Sequence, residues 1–276
     1  MTIPERQPAG HGFIFEPIKS EDLVFGGVQT LKLRGYADEP LNESGDWLPF
    51  IYDWLLTYQA KRFETNSCAS QQGENARGLM FNAIYGEKPD GSERFLAKIS
   101  GTDPARGNTF QKVNDALRNK GIAKEEEWPD TVETVEQYYA DIPQELQNKA
   151  KADRGEHVWG YERVNPDIAT MKEALKYSPL GISCALWQDA DGEYSKPEGW
   201  RDSHAITLLN IRADGKFTLL DSYPPYIKIA KPFAPEMAMR FFLDRELTNG
   251  LVKLIRLLTQ WLATFPQKIR GVLGYA

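Results

Sequence analysis

HAITLLNIRADGKFTLLDSY, residues 204–223, runs from an apolar strand through a turn at Ala213-Asp214-Gly215 into a second strand where Phe217 and Leu219 alternate. This is the pattern of an antiparallel hairpin, because strands turn every second side chain to the core and Asp-Gly suits a tight reversal. A hairpin sets the residues at its open end side by side, so His204 and Asp221 are expected to be neighbours. Immediately upstream, GISCALW (181–187) reads as a short apolar strand, and DIATMKEALKYSP (167–179) as a helix with Asp167 near its start.

Further upstream the period changes. From Cys68 to about Tyr85 the apolar positions Ala76, Leu79, Met80, Ala83 and Ile84 recur with helical spacing, weakened by Gly73 and Gly78. GNTFQKVNDALRNKGIAKEEEWP (107–129) predicts a second helix through Phe110, Val113 and Leu117, closed by Gly121 and ended by Pro129. The aromatic stretch WLPFIYDWLLTYQ (47–59) is expected to pack, whereas residues 1–46, rich in Pro, Gly and charge, read as an N-terminal arm. Helices precede strands, which predicts an α+β protein with helices on one side and an antiparallel sheet on the other. The expected division is an arm (1–46), a main domain (47–232) and a C-terminal helical tail (233–276).

Composition narrows the function. The 276 residues are 41% hydrophobic, enough to bury a core, and carry a net charge of −6 with a pI near 5.3. An acidic chain has little with which to release counterions from a polyanion, so nucleic acid is not an expected partner. MTIPERQPAGHGF lacks the basic start and apolar run of a secretory leader, and the expected location is cytoplasmic. Two cysteines, Cys68 and Cys184, and three histidines, His11, His157 and His204, show no metal-ligand spacing, so neither a metal nor a cofactor is expected.

The chemistry centres on Cys68, at the mouth of its predicted helix in FETNSCASQQGENA (63–76). A helix N-terminus and a neighbouring imidazolium both favour a thiolate, which makes a cysteine so placed a nucleophile. His204 follows 136 residues later and Asp221 another 17. An imidazole between a thiol and an acceptor is held in one tautomer, the arrangement of a catalytic triad. Cys184, inside GISCALW, has no such context and reads as core, and His11 and His157 read as solvated.

In order and separation these residues resemble the papain-like cysteine peptidases, whose His and polar acceptor follow the nucleophile by roughly 130–150 residues. SHAITLLNI resembles that family's His strand, DGKFTLLDSYPP its acceptor strand, and GNTFQKVNDALRNKGIAKEEEWP its left-hand helix and Gly-Ile segment; the likeness spans about residues 47–230. It implies a helical left-hand domain carrying Cys68 and a sheet domain carrying His204 and Asp221. It also implies an endopeptidase acting on protein or peptide substrates through a thioester.

The departures are specific. The family signature C-G-[SA]-C-[WY] is replaced by TNSCAS, its usual Asn acceptor by Asp221, and its aromatic lid by Tyr223. The oxyanion Gln expected six residues before the nucleophile is Arg62; Gln59, with a short insertion, is the expected donor and Asn66 the competitor. Alternatives are another acyl transfer on the same three residues, by a transferase or a cell-wall peptide hydrolase, and an inactive papain-fold binding protein. In LVKLIRLLTQWLATF (251–265) the apolar positions share one helical face opposite basic ones, which predicts a helix packed on the body or on a second copy, or one lying on a membrane surface.

Overall fold

From Cys68 to Met80 every residue of the Cys68 helix but Arg77 is buried, which only a helix wrapped by other elements can be. This computed structural model describes residues 12–20, 22–26, 40–154 and 157–245. Its helices are α1 (Cys68–Tyr85), α2 (Glu93–Ile99), α3 (Phe110–Lys120), α4 (Val135–Tyr138) and α5 (Gln144–Asp153), with α6 (Ile168–Ala174) between the first two strands. The strands are β1 (His157–Val164), β2 (Leu180–Cys184), β3 (Trp187–Gln188), β4 (Tyr194–Ser195), β5 (His204–Ile211), β6 (Phe217–Leu220), β7 (Ile227–Ala230) and β8 (Ala238–Arg245).

All eight strands form one sheet in the order β1-β8-β2-β5-β6-β7-β4-β3. It is antiparallel except where β4 meets β7 in parallel at Tyr194 and Ala230, so the sheet is mixed rather than wholly antiparallel. The α+β arrangement of helices beside a large sheet holds. The expected boundary at residue 232 does not, because β8 pairs with both β1 and β2 and lies inside the sheet. The arm is also more embedded than its composition suggested. Phe13 is buried against Phe110, with ring centroids 4.8 Å apart, and the Phe13 N–H donates to Ser203 O. The amphipathic stretch 251–265 and His11 lie outside the described residues.

The glycines of α1 explain how the helix fits. A Cβ on Gly73 would stand 2.8 Å from Val113 Cγ1, and one on Gly78 would stand 2.3 Å from the Tyr52 hydroxyl. They cost helix propensity but let α3 and the 47–59 segment approach closely. Packing, not propensity, decides this helix. Gly86 then closes it in the left-handed region (φ 70°), its N–H donating to Asn82 O. The side chains of Ser92, Thr109 and Asp167 accept from the first turns of α2, α3 and α6. Trp47 is fully buried, its indole N–H donating to Leu175 O at 2.6 Å, which pins the aromatic segment to the end of α6.

Candidate active site

The site forms where the N-terminus of α1 meets the start of β5. Ser67 is the N-cap without a side-chain bond to the helix, and Cys68 is the first helical residue, so the thiol lies at the positive end of α1. The N–H of Ala205 donates to Cys68 Sγ at 3.4 Å, and the adjoining His204 ring is near enough for Cys68 to help raise its pKa. His204 Nε2 lies 2.7 Å from Asp221 Oδ1, which leaves Nδ1 as the nitrogen that serves the thiol. The structure therefore brings Cys68, His204 and Asp221 together in that order.

The hairpin register shows how. β5 pairs with β6 at Thr207↔Leu220, and a bulge between Leu208 and Asn210 shifts the ladder further along. Extending that register toward the open end sets His204 opposite Tyr223, with Asp221 two residues back on the same face. The Tyr223 ring accordingly packs edge-on to His204, with centroids 5.5 Å apart, in the lid position expected for it. Cys184 is the cross-strand partner of His204 on β2; it is wholly buried, and burial, aided by nearby negative charge, pushes its thiol pKa well up.

Charge at the site is arranged around Asp221. Burial opposes ionisation of Asp221, but His204 and Lys228 outweigh it and bring its pKa down to about 2. Lys228, which the sequence reading missed, places Nζ 2.8 Å from Asp221 Oδ2. Burial likewise opposes the charged form of His204, yet Asp221 and Cys68 raise it from 6.5 to about 10. At neutral pH the imidazolium is the favoured form.

Gln59 is held on every side. Its Oε1 accepts from Ser222 Oγ at 2.8 Å, and its N–H donates to Ser222 O at 3.2 Å. Its Nε2 donates to Glu64 Oε1 at 2.7 Å and meets the Tyr223 hydroxyl at 2.8 Å, while that hydroxyl donates to the other oxygen of Glu64. Burial, with the Glu64 carboxylate beside it, pushes the Tyr223 pKa up. Glu64 thus occupies the amide that was expected to bind an oxyanion. Asn66, the competitor, is in the left-handed region (φ 53°) and its amide donates to Pro104 O at 2.7 Å, away from that role. His157 differs from its solvated reading, since its ring packs against Phe81 and Tyr85.

Solved structures share this fold. Xylellain, a cysteine protease from Xylella fastidiosa, superposes with a TM-score of 0.58 at 15% identity, over 88% of this chain and 98% of that one. The bromelain protease from Ananas comosus gives 0.54 at 15%, over 72% and 98%. The Amb a 11 cysteine protease, a ragweed pollen allergen in its proform, gives 0.54 at 15%, over 76% and 69%. These chains are papain-like cysteine proteases, and the fold of this chain is papain-like. No protein-family model matches the sequence, and no curated protein matches it either. Among the described residues no helix is long and apolar enough to cross a membrane.

Proposed function

We propose that the chain is a cysteine endopeptidase. The observation that carries this reading is the His204–Asp221 pair at 2.7 Å with the Cys68 sulfur held at 3.4 Å by the N–H of Ala205, the residue next to His204, set on a papain-like fold. The Cys68 thiolate attacks the scissile carbonyl carbon; a C–S bond forms and the carbonyl electrons move to oxygen. The first-turn N–H of Cys68, and the Gln59 amide once Glu64 has left it, donate to that oxyanion. The tetrahedral species collapses with loss of the C–N bond, and His204 passes its proton to the departing amine. Water then attacks the thioester while His204 takes its proton, and thiolate and imidazolium are restored.

Substrates of this reading are proteins or peptides, and the residues named supply the whole reaction without a cofactor. A second reading, a papain-fold binding protein, draws on a specific observation: Cys68 is 0% exposed and the Gln59 amide is already bonded. Incubation of the native chain and Cys68→Ala with E64 and with a mixed peptide library, followed by mass spectrometry, separates the two. Labelling of Cys68 and cleavage lost in the variant are expected. A folded protein that is neither labelled nor cleaves peptides would leave the binding reading.

A further inference from the structure

In YPPYIKIA, residues 223–230, alternation would turn Ile227 and Ile229 to the core and Lys228 to water. The structure inverts this: Lys228 is 5% exposed and Ile227 is 36% exposed. Burying an ammonium while leaving an isoleucine in solvent is unfavourable unless the charge is paired. It is. Lys228 Nζ meets Asp221 Oδ2 at 2.8 Å, donates to Pro225 O at 3.0 Å and to Tyr223 O, and stands 5.3 Å from the Tyr194 ring centroid. Both side chains of the ion pair are 6% exposed.

We infer that Lys228 is a positioning residue that acts on His204 through Asp221. Its ammonium holds the second carboxylate oxygen and offsets part of the charge, so the pair presents to the imidazole one fixed oxygen with less negative charge than Asp221 alone would carry. That is the role an asparagine amide fills in the family this chain resembles, here divided between two residues. An uncompensated carboxylate would grip the imidazolium and make it a poor proton donor, because a general acid works best when its pKa is near the working pH. The titratable groups around Asp221 are His204 on β5, Cys68 on α1, Cys184 on β2, Tyr194 on β4, the adjoining Tyr223, and Lys228 on β7. Glu64 reaches this group through Tyr223. Of these, Lys228 is the side chain that contacts the second carboxylate oxygen.

The inference rests on the catalytic reading of Cys68 and His204, but its test does not need a substrate. The full-length wild type, Lys228→Met, Asp221→Asn and the double variant are compared by NMR titration of isotope-labelled histidine and by the pH dependence of iodoacetamide attack on Cys68. Lys228→Met is expected to raise the His204 midpoint by about one unit or more, and Asp221→Asn to lower it by a similar amount. The double variant is expected to return close to wild type and to react faster than either single. A midpoint unmoved by Lys228→Met, or a double variant no better than the worse single, overturns the inference. If Lys228→Met does not fold, hydrogen exchange at Lys228 Nζ in the wild type decides: slow exchange supports a buried pair, and exchange as fast as surface lysines overturns it. An unreactive Cys68 in folded wild type would sink the peptidase reading, while the His204 titration would still judge the pair.

Discussion

Helix α1 touches two buried charged centres, and burial acts on them in opposite directions. At its N-terminus Asp221 faces two cationic partners, His204 and Lys228, and its pKa falls to about 2. One and two turns along, Glu74 pairs with Arg77 at 2.6 and 2.7 Å, and Glu93 accepts from Thr57 at 2.9 Å. There the carboxylates crowd together. Burial first, then the charges of Glu74 and Glu125, push the Glu93 pKa well up, and burial carries Glu125 to about 7. Desolvation disfavours ionisation in both places; the count of nearby cations decides which side wins. One centre is kept ionised. The other favours neutral carboxyls, where α2 packs against α1.

Substitutions should separate the centres. The largest effect expected is on turnover: Cys68→Ala and His204→Ala each lower kcat/KM on a peptide substrate by on the order of 10³ or more, whereas Glu93→Gln leaves it near wild type. A Cys68→Ala chain that still cleaves would end the comparison. Next is stability. Asp221→Asn strands the buried Lys228 charge and should cost about 3–5 kcal/mol in denaturant unfolding. Glu93→Gln replaces a group already favoured as neutral and should cost under about 1 kcal/mol at pH 7.

The pH dependence of unfolding sharpens the same contrast. Glu125 is raised from 4.5 to about 7, so its contribution is complete below pH 4.5 and is lost as pH rises through about 7. His204 is raised from 6.5 to about 10, so its contribution is complete below pH 6.5 and disappears as pH rises through about 10. Asp221 is lowered from 3.8 to about 2, and its contribution vanishes only as pH falls through about 2. Urea titrations across this range should show Glu125→Gln flattening the pH 4.5–7 window alone. The smallest effect concerns Glu64. Glu64→Ala releases the Gln59 amide from a hydrogen bond and should raise kcat/KM roughly two- to tenfold, with a decrease counting against a role for Gln59.

What the sequence made legible follows from which forces act locally. The hairpin was readable because alternation and the Asp-Gly turn are short-range signals, and β5 and β6 match it closely. α3 was readable from its apolar spacing and Gly121. Cys68, His204 and Asp221 were singled out by residue type, spacing and hairpin geometry, and the structure sets them in contact. Lys228 was not legible, because the Ile-Lys-Ile pattern points the wrong way unless a buried partner for the lysine is already known. Nor was β8, whose pairing with β1 joins segments about eighty residues apart with no local sign of register. Gly73 and Gly78 read as weak points in a helix; they are contact points, visible only once Val113 and Tyr52 are in place.

The central claim is that Cys68 is held as a nucleophile by an imidazolium, and the chain contains its own control in Cys184. The most direct measurement is the rate of iodoacetamide alkylation of each thiol in the folded protein from pH 5 to 10, resolved by peptide mass spectrometry, in wild type and Glu64→Ala. The account predicts that Cys68 is alkylated in the folded protein, faster in Glu64→Ala, while Cys184 stays unlabelled. Labelling of Cys68 only on unfolding, together with Cys184 and in both proteins, would contradict it.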